Sequence, residues 1–327
     1  MYTLAKELMH RGHRVGVFTT GGSWVEKFRR HGIRVYVATE NHQLASLARV
    51  VRQHGYDVLH AHDTPSFQLV RRLHAARTKR VVLTVHGRYV SPASLRLAAP
   101  MARYVTVVSP SLQTYVRACG VPAGKVRLIE NGIDTRLFRQ KQHTSFRRRH
   151  GVPENAFVIG YAGRFTFDKL ALSKKVSAVL RKYAAEHGGA YALIAGRGSL
   201  GAVPSSSRVK VLGHVPYMPS FYQSCDVVVG TARVALEALS CGVPTIAVGY
   251  SRYLGRISPS NFPRAVQTNF GDHAASPTPW LSSRLSLDID TVRRNRLSHL
   301  LMARQLSHTV HRKYTSRRMA REMERLY

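Results

Sequence analysis

"DVVVGTARVALEALSCGVPTIAV" (residues 226–248) reads as strand, helix, strand. An apolar, β-branched run ends at Gly230-Thr231, and Val234, Ala235, Leu236, Ala238 and Leu239 then cover most of a helical circumference. The run "PTIAV" (244–248) follows as a second strand. Strands that are apolar throughout belong to parallel sheets covered on both faces, joined by helical crossovers. The helix also carries one carboxylate, Glu237, among small or apolar neighbours. A buried carboxylate without a partner is costly. The partner could be a guanidinium, a solvent-facing slot, or a pair of vicinal hydroxyls on a ligand.

The same alternation extends in both directions. Strands are predicted at 14–18, 34–38, 57–62, 81–86, 104–109 and 126–130, then at 157–163, 191–196, 209–213, 226–230 and 244–248. Helical periodicity fills 43–54, 66–77, 110–118, 172–186 and 231–241. Two sets of strands predict an α/β protein of two doubly wound parallel-sheet domains. The polar, basic stretch 139–156 reads as the linker. The first domain is expected over 1–140 and the second over 155–305, with a basic amphipathic helix closing the chain at 306–327.

Composition narrows the partners. The chain has 327 residues and no apolar run of eighteen, so no membrane-spanning helix is expected. The N-terminal "MYTLAKELMHRGHRV" lacks the features of a signal peptide. Cys119, Cys225 and Cys241 are odd in number and lack metal-like spacing, as expected of core residues in a reducing cytoplasm. Fifty Lys and Arg against seventeen Asp and Glu give +33 and a pI near 11.1. Residues 1–150 carry 26 basic and 7 acidic side chains, so the excess is not a detachable tail. Such a surface attracts polyanions, including anionic bilayers and acidic envelope polymers. No motif that reads nucleic acid is present, and no specific nucleic-acid partner is expected.

In open α/β sheets ligands bind beyond the carboxyl ends of the strands. Arg164 and Lys169 are predicted in a loop after the 157–163 strand, where two cations can converge on one anion or form a solvated turn. Gly196 and Gly198 follow the next strand and allow close backbone approach, but they are not a dinucleotide fingerprint. Gly230 ends a strand and Thr231 is placed as N-cap of the following helix, whose N-terminus favours anions. His62 and His86 end adjacent strands. Asp63 beside them makes a metal site conceivable, but no third well-spaced ligand is evident. "NFGDH" (269–273) adds Asp272 and His273 as cleft candidates, with a plain loop as the alternative.

Taken in order, "DVLHAHD", "VVLTVHG", "VTVVSPSLQTYV", "VRLIENGIDTRLF", "IGYAGRFTFDK", "ALIAGRGS", "VLGHVPY" and "DVVVGTARVALEALSCGVPTIA" resemble the family-four glycosyltransferases of GT-B fold nearly end to end. The resemblance implies two Rossmann-like domains facing across a cleft, with the closing helix crossing back onto the first domain. It implies a nucleotide-diphospho-sugar donor as substrate, no cofactor and no metal. Glu237 would hold the donor ribose and Arg164 and Lys169 its diphosphate. Gly230, Thr231, Arg233, Gly196, Gly198, His214 and Val215 would line the donor site, and His86 would lie near the transferred sugar. Catalysis would be mostly electrostatic. The acceptor is expected to be an envelope lipid or glycan, reached from the cytoplasmic face of an anionic membrane by a peripherally bound enzyme. A sugar-nucleotide epimerase or hydrolase, or a non-catalytic polyanion-binding relic of a transferase, are the alternatives.

Two features depart from the family. Val229 stands where the family usually has a second glutamate, and the loop before Glu237 is short, so Thr231, Ala232 and Arg233 are expected to take over phosphate and sugar contacts. The chain also opens in what resembles the family's first helix, without the strand and Gly-rich loop that precede it there. A misassigned start or a truncated fragment, and a sheet lacking an inner strand, are the corresponding expectations.

Overall fold

The computed structural model describes residues 1–74, 80–141, 144–275 and 281–327. The first part alternates α1 (Tyr2–His10), β1 (Gly16–Thr19), α2 (Val25–Arg29), β2 (Arg34–Val37), α3 (Gln43–His54), β3 (Val58–Ala61) and α4 (Thr64–His74). It continues with β4 (Arg80–Val85), α5 (Pro92–Ala98), β5 (Tyr104–Val107), α6 (Pro110–Ala118) and β6 (Val126–Leu128). Next come α7 (Thr144–Arg149), β7 (Phe157–Phe165), α8 (Phe167–Glu186), β8 (Ala190–Gly198), β9 (Val209–Gly213), α9 (Met218–Gln223) and β10 (Val227–Gly230). The chain ends with α10 (Ala232–Ser240), β11 (Thr245–Val248), β12 (Tyr253–Arg256), α11 (Phe262–Gln267), α12 (Ser282–Arg294), α13 (Arg296–Lys313) and α14 (Ser316–Glu324). Residues 75–77 of the helical segment expected at 66–77 lie outside the described residues. Among the described residues no helix is long and apolar enough to cross a membrane.

Two compact units result: Met1–Gly132 with Tyr314–Tyr327, and Ile133–Lys313. The second unit holds a six-stranded sheet in the order β12-β11-β10-β7-β8-β9. All neighbours pair parallel except β11 with β12. Strand order reverses between β7 and β10, which makes their shared C-terminal end the topological switch point. Ile159, Val227, Val229, Ile194 and Ile246 fill one core with α8 and α12, through Val176, Leu180, Leu285 and Ile289. Asp226, nearly buried, anchors the start of β10 by accepting from Val158 N at 2.7 Å and Arg147 Nη2 at 3.1 Å, and it also pairs with Arg296.

In the first unit the strands form two separate parallel sheets, β1-β2 and β3-β4-β5-β6. The larger buries Val81, Leu83, Val85, Val105 and Val107 against α4, α5 and α6. Leu4 and Leu8 of α1 pack with Ala320 and Met323 of α14 and with Val82. The continuous closing helix expected over 306–327 is broken. α13 stops at Lys313, and α14 restarts with Thr315 as N-cap, its hydroxyl accepting from Arg318 N at 3.1 Å. Gly132 fits against this break: a Cβ there would sit 2.5 Å from the carbonyl oxygen of Thr315.

Candidate functional site

The residues singled out by sequence fall at the carboxyl end of the second unit's sheet and, separately, at the end of β3 and β4 in the first unit. Two of them sit on different elements than expected. Arg164 lies inside β7, because that strand pairs with β8 as far as Phe165 opposite Gly198. Lys169 lies in the first turn of α8 and not in a loop. Arg164 is solvent-exposed.

Lys169 Nζ donates to Asp272 Oδ1 at 2.8 Å and stands 4.9 Å from the Tyr250 ring centroid. The same carboxylate oxygen accepts from Tyr250 N at 3.1 Å. Asp272 is therefore a partner that orients Lys169 from the 269–273 turn. His273 is 3% exposed and sits 3.4 Å from the side-chain amide of Asn269, which places it in packing rather than on an open surface.

The glycines serve the sheet. A Cβ at Gly196 would lie 2.3 Å from the carbonyl oxygen of Gly163, and one at Gly198 2.3 Å from that of Phe165. Close approach to neighbouring backbone is thus a reason for glycine at both positions that the sequence did not show. Gly230 lets β10 turn tightly into α10, since a Cβ would meet Val234 Cγ1 at 2.4 Å. Thr231 occupies the N-cap position of α10 without capping it. Its hydroxyl instead donates to the carbonyl of Phe270 at 2.8 Å, tying the helix start to a turn in which Asn269, Phe270 and Gly271 all have positive φ. Ala232, the first helical residue, also has φ of 49°. For a residue with a Cβ that conformation is strained.

Glu237 is 6% exposed and both its oxygens are engaged. Oε2 accepts from the Tyr222 hydroxyl at 2.8 Å, and Oε1 from Arg233 Nε at 2.5 Å, one helical turn back. The guanidinium alternative left open by the sequence is therefore realised, together with a tyrosine that sequence spacing did not reveal. The Tyr222 hydroxyl is pushed well above its ordinary pKa, by burial first and then by the adjacent carboxylate, so it stays a proton donor. Arg233 is half-exposed. Val229 is fully buried in the core, so no carboxylate takes the place the family usually fills. His214 and Val215 follow β9, the far edge strand, three positions from β10.

In the first unit His62 Nδ1 lies 3.1 Å from His86 Nε2, and the two rings stack at 5.4 Å. His60 bridges Thr84 Oγ1 at 2.6 Å and the Tyr327 hydroxyl at 2.7 Å. Burial holds the His60 imidazole down at about 3, helped by the charges of His86 and the Met1 amine. His62 is also held well below its ordinary range, by burial and then by His60. Neutral imidazoles could ligate a metal, but no group of three suitable ligands exists among the described residues. All three cysteines are buried and free.

Residues 1–137 match the family described as Glycosyltransferase Family 4, and residues 156–255 match Glycosyl transferases group 1. An uncharacterized glycosyltransferase of Methanocaldococcus jannaschii is 26% identical over 294 residues, covering 74% of each chain. N-acetyl-alpha-D-glucosaminyl L-malate synthase of Bacillus anthracis is 24% identical over 283 residues, covering 74% of this chain and 73% of that one. Among solved structures, Anabaena HepE with UDP and glucose superposes with a TM-score of 0.78 at 21% identity, covering 99% of this chain and 93% of that one. Sucrose-phosphate synthase of Thermosynechococcus elongatus gives 0.73 at 18%, covering 99% and 90%.

Proposed function

The chain belongs to the family-four, group 1 glycosyltransferases of GT-B fold, and we propose that it moves a sugar from a nucleotide-diphospho-sugar to an envelope lipid or glycan at an anionic membrane. The observation that carries the donor reading is the grouping at the switch point of the second unit. Lys169 follows β7, Thr231 and Arg233 follow β10, and Glu237 lies two turns into α10. The relative HepE was crystallised with UDP and with UDP-glucose, which supports a nucleoside diphosphate as the leaving group here.

In this mechanism Lys169, oriented by Asp272, and Arg164 neutralise the diphosphate, together with the N-terminus of α10. Charge that builds on the leaving phosphate meets fixed cations that need no reorganisation, and this lowers the barrier without a metal. The ribose hydroxyls take the Oε1 side of Glu237. A carboxylate offers about four acceptor positions, of which Tyr222 and Arg233 use one each. Arg233, being half-exposed, swings out to the phosphates as the nucleotide enters, while Tyr222 keeps the carboxylate in place.

The charge of +33 supports the membrane part, because each Lys or Arg near an anionic surface contributes about 1 kcal/mol. The test of the donor reading is calorimetric titration with UDP, GDP, ADP and TDP. Binding of one of them, lost in Glu237→Ala, is expected. Binding of none, or binding indifferent to that substitution, would refute it.

A further inference from the structure

Backbone strain gathers at one end of the second unit's sheet. Among the described residues, those other than glycine with positive φ are Ala232 at 49°, Asn269 at 49° and Phe270 at 56°. Asparagine tolerates that region through its short polar side chain, whereas alanine and phenylalanine keep it only where their surroundings impose it. Two interlocked turns do so, 249–252 after β11 and 269–272. The Gly271 carbonyl accepts from Ser251 N at 3.1 Å and Arg252 N at 2.9 Å, and Gly249 N donates to the Arg252 carbonyl at 3.1 Å. The Ser251 hydroxyl donates to the Asp272 carbonyl at 2.7 Å. A Cβ on Gly249 would run into the backbone of Gly271, and one on Gly271 into the Arg252 carbonyl. Thr231, just ahead of Ala232, joins the start of α10 to the same turn through the Phe270 carbonyl.

This lock presents two groups beside Lys169. The first is the Asp272 carboxylate, whose side chain is 13% exposed. Its Oδ1 serves both Lys169 Nζ and Tyr250 N, while Oδ2 has no hydrogen-bond partner among the described residues. Glu237, by contrast, has both oxygens engaged. The second is the Tyr250 ring, 60% exposed and 4.9 Å from the same ammonium group. An open carboxylate oxygen accepts from hydroxyls and offers nothing to a phosphate. An exposed aromatic face beside it takes the apolar side of a ring. A sugar has both features. In a nucleotide-diphospho-sugar it is joined to the terminal phosphate, so a cation holding that phosphate has the sugar as its neighbour.

Resting on the donor reading above, we propose that Asp272 and Tyr250 form the subsite for the donor's sugar. Asp272 Oδ2 accepts from a sugar hydroxyl, and the Tyr250 ring covers the sugar's apolar face. Asp272 thus has two roles, one oxygen orienting Lys169 and the other holding the group to be transferred.

Calorimetric titration of UDP, GDP, ADP and TDP, each against its glucose conjugate, tests this on the unsubstituted protein, Asp272→Asn and Tyr250→Ala. In Asp272→Asn the amide oxygen can still accept from Lys169 and Tyr250 N, and the other position turns from acceptor to donor. Tyr250→Ala keeps that backbone N–H and removes only an exposed ring, a change that folding tolerates. In the unsubstituted protein the conjugate should bind more tightly than its diphosphate. Asp272→Asn should weaken the conjugate about 10-fold or more, as expected for one hydrogen bond to a charged group. Tyr250→Ala should weaken it about 3- to 10-fold. The diphosphate should stay within about twofold in both. A conjugate no tighter than its diphosphate, or a loss shared equally by the two, overturns the proposal and leaves these residues to the phosphates or the base. Binding of none of the eight ligands overturns the donor reading as well, so the two failures are told apart.

Discussion

Replacing Glu237 by Gln separates a ligand contact from a structural one. The amide oxygen still accepts the Tyr222 hydroxyl bond, so the buried side of the interaction survives. What is lost is the charge facing Arg233, whose side chain is 47% exposed. Only the Arg233 end of the pair is open to solvent, Glu237 being buried, and the amide leaves no unpaired charge in the core, so the loss lies near the upper end of the about 0.2–1 kcal/mol of exposed pairs. Stability should therefore fall little, with a Tm decrease below about 4 °C. For the ligand the change is larger. A carboxylate can accept from both ribose hydroxyls, whereas the amide keeps one acceptor and must turn a donor to the other hydroxyl. Losing one hydrogen bond to a charged group costs about 1.5–3 kcal/mol, which is a 10- to 150-fold weaker nucleoside diphosphate. Isothermal titration and thermal denaturation on the same samples measure both. Affinity unchanged within twofold, with a Tm loss of 8 °C or more, would refute the reasoning and make Glu237 a structural keystone.

Lys169→Met should weaken the same ligand by a similar factor, since it removes a charge-assisted phosphate bond, and the loss should shrink with added salt; a titration series at two ionic strengths checks it. The low pKa of His60, about 3, lies below the ordinary value near 6.5, so the unfolded chain binds the extra proton across that window. Stability is complete above about pH 6.5 and declines as pH falls toward 3; Tm against pH should show this, with a flatter profile in His60→Gln. Sedimentation with vesicles should pellet the protein with anionic phosphatidylglycerol and not with phosphatidylcholine, and 0.5 M NaCl should reverse it, the Debye length being then only about 4 Å. Equal recovery from both supernatants would remove the membrane reading.

Much of the fold was legible because parallel strands buried on both faces advertise themselves as uninterrupted apolar runs. Of the eleven predicted strands each has a counterpart, its ends displaced by two residues at most. What escaped has physical reasons. β12 is an antiparallel edge carrying Tyr253, Gly255 and Arg256, so it lacks the apolar run. In α12 the buried Leu285, Ile289 and Val292 are spaced four and three apart, a helical signal diluted by nine charged or hydroxyl neighbours. The break before α14 is marked by Thr315, an N-cap residue that a purely apolar-periodicity reading passes over. The predicted linker at 139–156 lies inside the second contact unit, where Phe146 and Val152 are buried.

The candidate site was legible by residue type and not by partner. Glu237 was identifiable as a carboxylate needing company, but Tyr222 lies fifteen residues earlier, on another helix, and no periodicity links the two. Asp272 was found by position after the last predicted strand, while its bond to Lys169, 103 residues away, exists only in the fold. Gly196 and Gly198 illustrate the opposite case. Their residue type suggested a ligand, and the three-dimensional structure adds a packing reason, since neighbouring backbone leaves no room for a Cβ.

Hydrogen exchange with and without a saturating nucleoside diphosphate tests the central claim most directly. Slowed exchange concentrated in residues 164–169 and 230–237 is the predicted result. No protection there, or protection confined to the first unit, would contradict the assignment of the donor site to the end of β7 and β10.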